Sequence, residues 1–370
     1  MKFLLTVCVS LSIFFFQRVN AISGEYDFPA TLRVRVLSNH HPSAVTIRAH
    51  GELFGVDGVN RTSGDSLRFV LKNGNVHLTF GGHMVETNFA VVRSSRIDLA
   101  FDSNGSPVSR RYEGALEISA ADGELKVINE VPFERFVHES AVAELGELTG
   151  KLSAPQRHEL VSAMEIVIRS FLLREGKRHD GYQFCDLTHC VHFPGITDGG
   201  EILTKGMIIM DGKKPVDALF HSTCGGLLAP SDSYWEGEHD GVTFRKGADS
   251  LDGEVLCEQS PHAQWRRFVD INVMRQIIGK DADTIECERK DGRVSALLCK
   301  NHDVRFRIPI SRFLSRAGRQ LGWNAIKSNY FDVQKTNGGW VFTGKGLGHG
   351  VGLCQYGAAR LAQKGKTARE

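Results

Sequence analysis

Between Pro29 and Ile128, apolar and polar residues alternate in short runs. Thr31 to Leu37 reads Thr-Leu-Arg-Val-Arg-Val-Leu, and Ser66 to Leu71 and Val76 to Phe80 repeat the pattern. A period of two bounded by Asn73-Gly74, Gly81-Gly82 and Asp122-Gly123 predicts half-buried antiparallel strands joined by tight turns. Gly114 to Ser119 and Gly123 to Ile128 read as one hairpin. Nothing reactive clusters in this stretch, which reads as scaffold.

The period then lengthens. Phe133, Phe136, Val137, Ser140, Ala141, Glu144, Leu145 and Leu148 recur at helical spacing, with Gly146 or Gly150 as the stop. A second helix is predicted from about Pro155 to Leu173, its proline near the start where a missing N–H does no harm. Val216 to Phe220 reads as a strand, Ile285 to Leu298 as a hairpin turning at Asp291-Gly292, and Gln355 to Lys364 as a last helix.

Composition narrows the classes. A formal charge of +2 with interspersed signs gives no basic nucleic-acid face and no polybasic lipid patch. Lys2, the apolar run Phe3 to Phe16 and the small residues at Val19-Asn20-Ala21 read as a secretory leader over 1–21, too short to span a bilayer. The expected mature chain starts near Ile22, is exported to the periplasm or cell envelope, and keeps no stable membrane insertion. It retains Cys185, Cys190, Cys224, Cys257, Cys287, Cys299 and Cys354. An odd number cannot pair completely within one chain.

Four places carry candidate chemistry. Glu144 lies on the apolar stripe of its helix, either at the rim of the core or held partly desolvated in a cleft, where its carboxyl pKa would rise as a general acid requires. Glu139 and Glu147 fall elsewhere on the helix and read as solvated charges. His179, Cys185, His189 and Cys190 fit a closed tetrahedral zinc site of structural type, with His192 as an alternative to His179 and a Cys185–Cys190 disulfide as the plain alternative. His221-Ser-Thr-Cys224-Gly-Gly invites a nucleophile reading for Cys224 with His221 or His349 as base, or a Cys224–Cys257 pair; Cys287 and Cys299 fall out of register across their hairpin. Gly344 to Ala358 holds many glycines around His349 and Gln355, so its backbone approaches either a neighbouring strand or a ligand.

Taken together, Leu125 to Val137 running into Ala143-Glu144-Leu145, Ile168-Arg169-Ser170-Phe171, Cys185-Asp-Leu-Thr-His-Cys190 with Ser222-Thr-Cys-Gly-Gly226, and Gly346-Leu-Gly-His-Gly-Val-Gly-Leu-Cys-Gln-Tyr-Gly-Ala358 resemble, in order, the SpoIID/LytB family of sporulation and cell-wall proteins. The chain departs from that pattern at Ser162, Met164 and Val191 and in the longer separation of Glu144 from Arg169. The resemblance implies a lytic transglycosylase that cuts peptidoglycan glycan strands stripped of stem peptides and leaves 1,6-anhydro-muramic acid ends. It implies Glu144 as the catalytic residue, zinc on His179, Cys185, His189 and Cys190, and no cofactor in the chemistry itself. Arg169, Ser222, Thr223, His349 and Gln355 are the expected substrate-binding residues. Pattern and resemblance together give an expected α+β fold: a β-rich N-terminal region over 22–124 packed on a mixed α/β catalytic core over 125–370, two lobes around a substrate groove. A non-catalytic glycan binder that stimulates a cell-wall amidase is the alternative from another class, and a Cys-His peptidase using Cys224 is a third.

Overall fold

The computed structural model describes residues 20–22, 26–50, 53–56, 59–62, 66–197, 200–236 and 246–370. The expected leader lies outside them except for its last two residues, Asn20 and Ala21. Asn20–Ile22 pairs antiparallel with Ile208–Asp211.

The alternating N-terminal runs form one 11-stranded sheet. Its spine is a hairpin of two long strands, Phe89–Ser103 and Ser106–Ala121, followed by Glu124–Pro132. Register slips once, between Tyr112 and Gly114. There Gly114 has φ 89°, and a Cβ would meet the Glu130 carbonyl oxygen at 2.1 Å, so only glycine fits the bulge. The sheet runs through the expected 124/125 boundary, because Glu124–Pro132 pairs both with Ser106–Ala121 and with Thr31–Val36.

Helices α1 (Phe133–Leu145) and α2 (Ala154–Glu175) pack on this sheet and share its core. Ser153 and Gln156 close a capping box at the start of α2, with Pro155 in its first turn. From Leu160 onward α2 is buried nearly all round, and it carries Glu165 and Arg169 inside with the apolar residues.

A second apolar cluster forms further along the chain. Two three-stranded sheets, one of Trp265–Asp270, Phe331–Thr336 and Gly339–Gly344, the other of Thr284–Lys290, Arg293–Asn301 and Val304–Pro309, pack with α3 (Ile271–Ile278) and α4 (Ile310–Leu321) around Phe313, Phe331 and Phe342. The Asp291-Gly292 hairpin is present as expected, and Cys287 faces Leu297 while Cys299 faces Ile285. α3 and α4 were not expected from the pattern; both are short and begin directly off a strand. α5 (Gln355–Gln363) returns to α2 and the first core. The molecule is therefore strand-rich and mixed. No described helix is long and apolar enough to cross a membrane.

Candidate active site

Two of the chemistry-bearing segments reach the end of α1, one through His192 and one through Gln355. Four glutamates, from α1 and α2, fasten the segment 192–206 to the helices. Glu134 accepts from the Gly206 N–H at 3.3 Å, and Glu139 accepts from the Thr197 N–H and hydroxyl at 3.0 and 2.7 Å. Glu165 takes the N–H groups of Leu203 and Thr204 together with His138 Nδ1 at 2.7 Å. Glu144 accepts from the His192 N–H at 2.7 Å. Glu139, expected to be solvated, is buried: the 192–206 segment covers that face of α1, which one helix's periodicity cannot reveal.

Glu144 differs from its neighbours in compensation. Glu134 faces the Arg169 guanidinium at 2.6 Å, and Glu165 faces His138 and the Thr204 hydroxyl at 2.7 Å each. Glu144 has the His192 amide and, among the described residues, no ion pair. It lies in the last turn of α1, where the outward carbonyls disfavour a negative charge. Burial pushes its carboxyl pKa above the ordinary value, against the hydrogen bond and positive influence of His192. In Glu165 burial also opposes charge, yet the bonds from His138, Thr204 and Leu203 outweigh it and its pKa falls. Gln355 at the start of α5 donates from Nε2 to the Glu144 carbonyl oxygen at 3.2 Å and fixes the end of α1.

The cysteine–histidine cluster sits just upstream of the His192 contact. Phe184–Cys185 extends the large sheet parallel to Val34 and Arg35, and the Cys190 N–H closes a tight turn on the Leu187 carbonyl at 2.9 Å. His179 Nε2 lies 3.2 Å from Cys190 Sγ, His189 Nε2 lies 3.3 Å from Cys185 Sγ, and the two sulfurs are 3.4 Å apart. The donor atoms of all four lie within 4.8 Å of one another. Zinc bonds of about 2.3 Å to sulfur and about 2.0 Å to nitrogen give a tetrahedron with edges of roughly 3.5 Å, so the donor set fits that ion. His192 belongs instead to the Glu144 contact through its backbone.

The glycine-rich segment resolves towards the neighbouring strand. Phe220–His221 pairs in parallel with Leu353–Cys354, a shorter ladder than the expected strand 216–220. A Cβ at Gly346 would meet the Thr223 carbonyl oxygen at 2.4 Å, and one at Gly352 the Leu219 carbonyl oxygen at 2.0 Å. His349 Nδ1 accepts from the Val351 N–H at 3.1 Å, and its ring lies 5.4 Å from that of His221 and 5.0 Å from Trp235. Burial, with the Arg293 charge, lowers the His349 pKa to about 4, so its imidazole is neutral at physiological pH with the proton on Nε2.

Of the expected substrate-binding residues, Gln355 touches Glu144 directly, and Ser222 lies beside it through its carbonyl bond from the Tyr356 N–H. Two others do not line an open surface. Thr223 is fully buried with its hydroxyl on Ser260 at 2.7 Å. Arg169 is fully buried in its pair with Glu134 and donates to the Met207 carbonyl at 2.8 Å. Glu134 stands ten positions before Glu144, about 15 Å along the helix axis. A cleft of about 700 Å³ between α2, α5 and the C-terminal residues does not include Glu144 among its lining.

The sequence reading missed the His192 amide, the Glu139 and Glu165 anchors, and Arg293. That arginine follows a hairpin turn, where a solvated charge is the ordinary expectation, yet it is fully buried and bonded to Asn329 and to the Leu227 carbonyl at 2.8 Å each. The available signal was Gly350, where a Cβ would stand 2.1 Å from the guanidinium carbon.

Comparison with known proteins finds distant relatives over part of the chain. Stage II sporulation protein D of Bacillus amyloliquefaciens is 27% identical over 45% of the chain and 45% of its own length. The chain is SpoIID-like. Stage II sporulation protein D of Bacillus subtilis is 25% identical over 44% of each, and the amidase enhancer of the same organism is 22% identical over 44% of this SpoIID-like chain and 29% of its own length. The chain thus spans less than half the length of these relatives. No family model matches it.

Proposed function

We propose that this chain is an exported lytic transglycosylase acting on peptidoglycan glycan strands, with Glu144 as its single acid and base. The observation that carries the reading is Glu144 itself. It is a half-buried carboxyl at a helix C-terminus with a raised pKa, anchored by one backbone amide, in a SpoIID-like chain. Protonated Glu144 gives its proton to the glycosidic oxygen as the bond to C1 of muramic acid breaks. The resulting carboxylate then takes the proton of the C6 hydroxyl as that oxygen closes on C1, which regenerates the acid. One carboxyl group serves both steps, so no second carboxylate and no activated water are needed.

In this reading the strand lies in a groove between the two packed cores, with Ser222 and His349 at its wall and Gln355 holding the end of α1 behind Glu144. Neutral His349, held between the Val351 amide and the Phe220 backbone, shapes that wall. His179, Cys185, His189 and Cys190 hold a zinc ion whose closed coordination makes it structural. It ties the loop that ends at His192 to the sheet edge, and so keeps the Glu144 anchor in place. The test is mass spectrometry of denuded glycan strands after incubation with purified chain lacking residues 1–21: release of 1,6-anhydro products is expected, and reducing ends carrying solvent oxygen refute the mechanism.

The likeness to the amidase enhancer favours one second reading, a glycan binder that stimulates a wall amidase. Glycan binding with no released product, together with faster turnover by an added amidase, establishes that reading instead.

A further inference from the structure

A second group of metal-ligating side chains lies outside the site just described, and it is assembled from distant parts of the chain. Cys224 comes from the turn after Phe220–His221, Asp249 and Cys257 from the segment 246–260, and Cys354 from the residue that caps α5. Cys224 Sγ lies 3.0 Å from Asp249 Oδ2 and 3.4 Å from Cys257 Sγ, and the four donor atoms lie within 4.8 Å of one another. The three cysteines are no more than 5% exposed. We propose that Cys224, Asp249, Cys257 and Cys354 bind a second zinc ion, with three thiolates and one carboxylate as its ligands.

Three features support a metal over a thiol cluster. Three sulfurs cannot all pair, so a disulfide would strand one buried thiol beside a carboxylate, whereas a four-donor set closes a structural zinc shell. The sulfurs already accept backbone N–H groups as thiolate ligands do: Gly226 to Cys224 at 3.2 Å, and Cys224 and Gly357 to Cys354 at 3.3 and 3.4 Å. The fold also keeps room for the fourth ligand, since a Cβ at Gly357 would meet Asp249 Oδ2 at 2.7 Å. Three thiolates and a carboxylate leave the zinc site with two negative charges. The buried Arg293 guanidinium, bonded to the Cys224 carbonyl, offsets part of them. Binding releases the thiol protons and involves no oxidation. The ion would staple the 220–226 turn and the 246–260 segment to the residue after the glycine-rich loop, and so hold His349 and Gln355 in register with Glu144.

This inference is independent of the glycan reading, because its readout is metal content. Native mass spectrometry of the full chain purified without added metal is expected to show zinc that survives in a Cys185→Ser/Cys190→Ser variant and is lost in Cys257→Ser. Asp249→Asn, the milder change, is expected to keep the fold by circular dichroism and to lose zinc to a chelator at least tenfold faster. Cobalt loaded into the Cys185→Ser/Cys190→Ser variant should show thiolate charge-transfer absorption in the near ultraviolet. Wild-type chain with no zinc, or with a single zinc abolished by Cys185→Ser/Cys190→Ser, overturns the proposal. So does a disulfide joining any two of Cys224, Cys257 and Cys354 in non-reducing peptide maps.

Discussion

The two ends of α1 hold the same covering segment with the same kind of side chain and differ in what they leave the carboxylate to do. At the N-terminal end Glu134 meets a fully buried guanidinium and the Gly206 amide, and its charge is neutralised. At the C-terminal end Glu144 meets one amide, and the helix carbonyls and burial both act against its charge. A carboxylate paired with a buried guanidinium serves as a fastener. One that is anchored but uncompensated has its pKa raised by burial and holds more readily the proton that a group acting first as acid and then as base must carry. A buried or half-buried glutamate is thus not by itself informative on this helix; the count of opposing charges is.

The comparison breaks most directly at Glu144. Glu144→Gln keeps the acceptor for the His192 amide but cannot carry the proton. Glycan cleavage is expected to fall by about 10²–10⁴-fold with binding retained. Glu147→Gln, exposed on the following turn, is the control, since Glu139 proves to be an anchor. Equal turnover in the two variants ends the assignment.

At the other end the expected effect is on stability. Arg169→Met leaves half-buried Glu134 without its partner, and denaturant unfolding should show a loss of about 1–3 kcal/mol. If Arg169 instead lines a glycan site, the variant keeps its stability and its KM rises.

Arg169 also shows where the sequence misleads. Its place in a motif said that it matters without saying how. Its pairing with Glu134, 35 positions earlier, depends on how two helices and a loop pack. The strands, the long helices and the Asp291-Gly292 hairpin were legible because their signals are local periodicity and turn chemistry. The donors His179 to Cys190 were legible because they come from one short segment. The Cys224, Asp249, Cys257 and Cys354 group spans 131 positions, and only tertiary structure brings it together. Glycines 346 and 352 announced a close approach, but which strand they approach is again non-local.

A smaller effect sharpens the link between Glu144 and the glycine-rich segment. Gln355→Ala removes the bond to the Glu144 carbonyl and should cost about 1 kcal/mol of stability. Turnover should fall with little change in glycan binding, because the amide positions the end of α1. A rise in KM at unchanged kcat assigns Gln355 to the substrate instead.

The smallest effect tests the comparison with no substrate present. Burial raises the folded-state pKa of Glu144 above its unfolded value, so the protonated form is the one the fold prefers. Its contribution to stability is fully present below the unfolded pKa and is lost as pH rises through the folded pKa. Glu144→Gln is neutral throughout and keeps the anchor, so it should gain stability relative to wild type as pH rises through that window. Glu165 has the opposite shift: its stabilising contribution is present above the unfolded pKa and is lost as pH falls through the lowered folded value. Glu165→Gln should therefore be most destabilising at neutral pH and less so in acid. Denaturant midpoints of the two variants and wild type from pH 4 to 8 give the sign of each slope. If the difference for Glu144→Gln runs the same way as that for Glu165→Gln, Glu144 is one more compensated fastener, and the distinction between the ends of α1 fails.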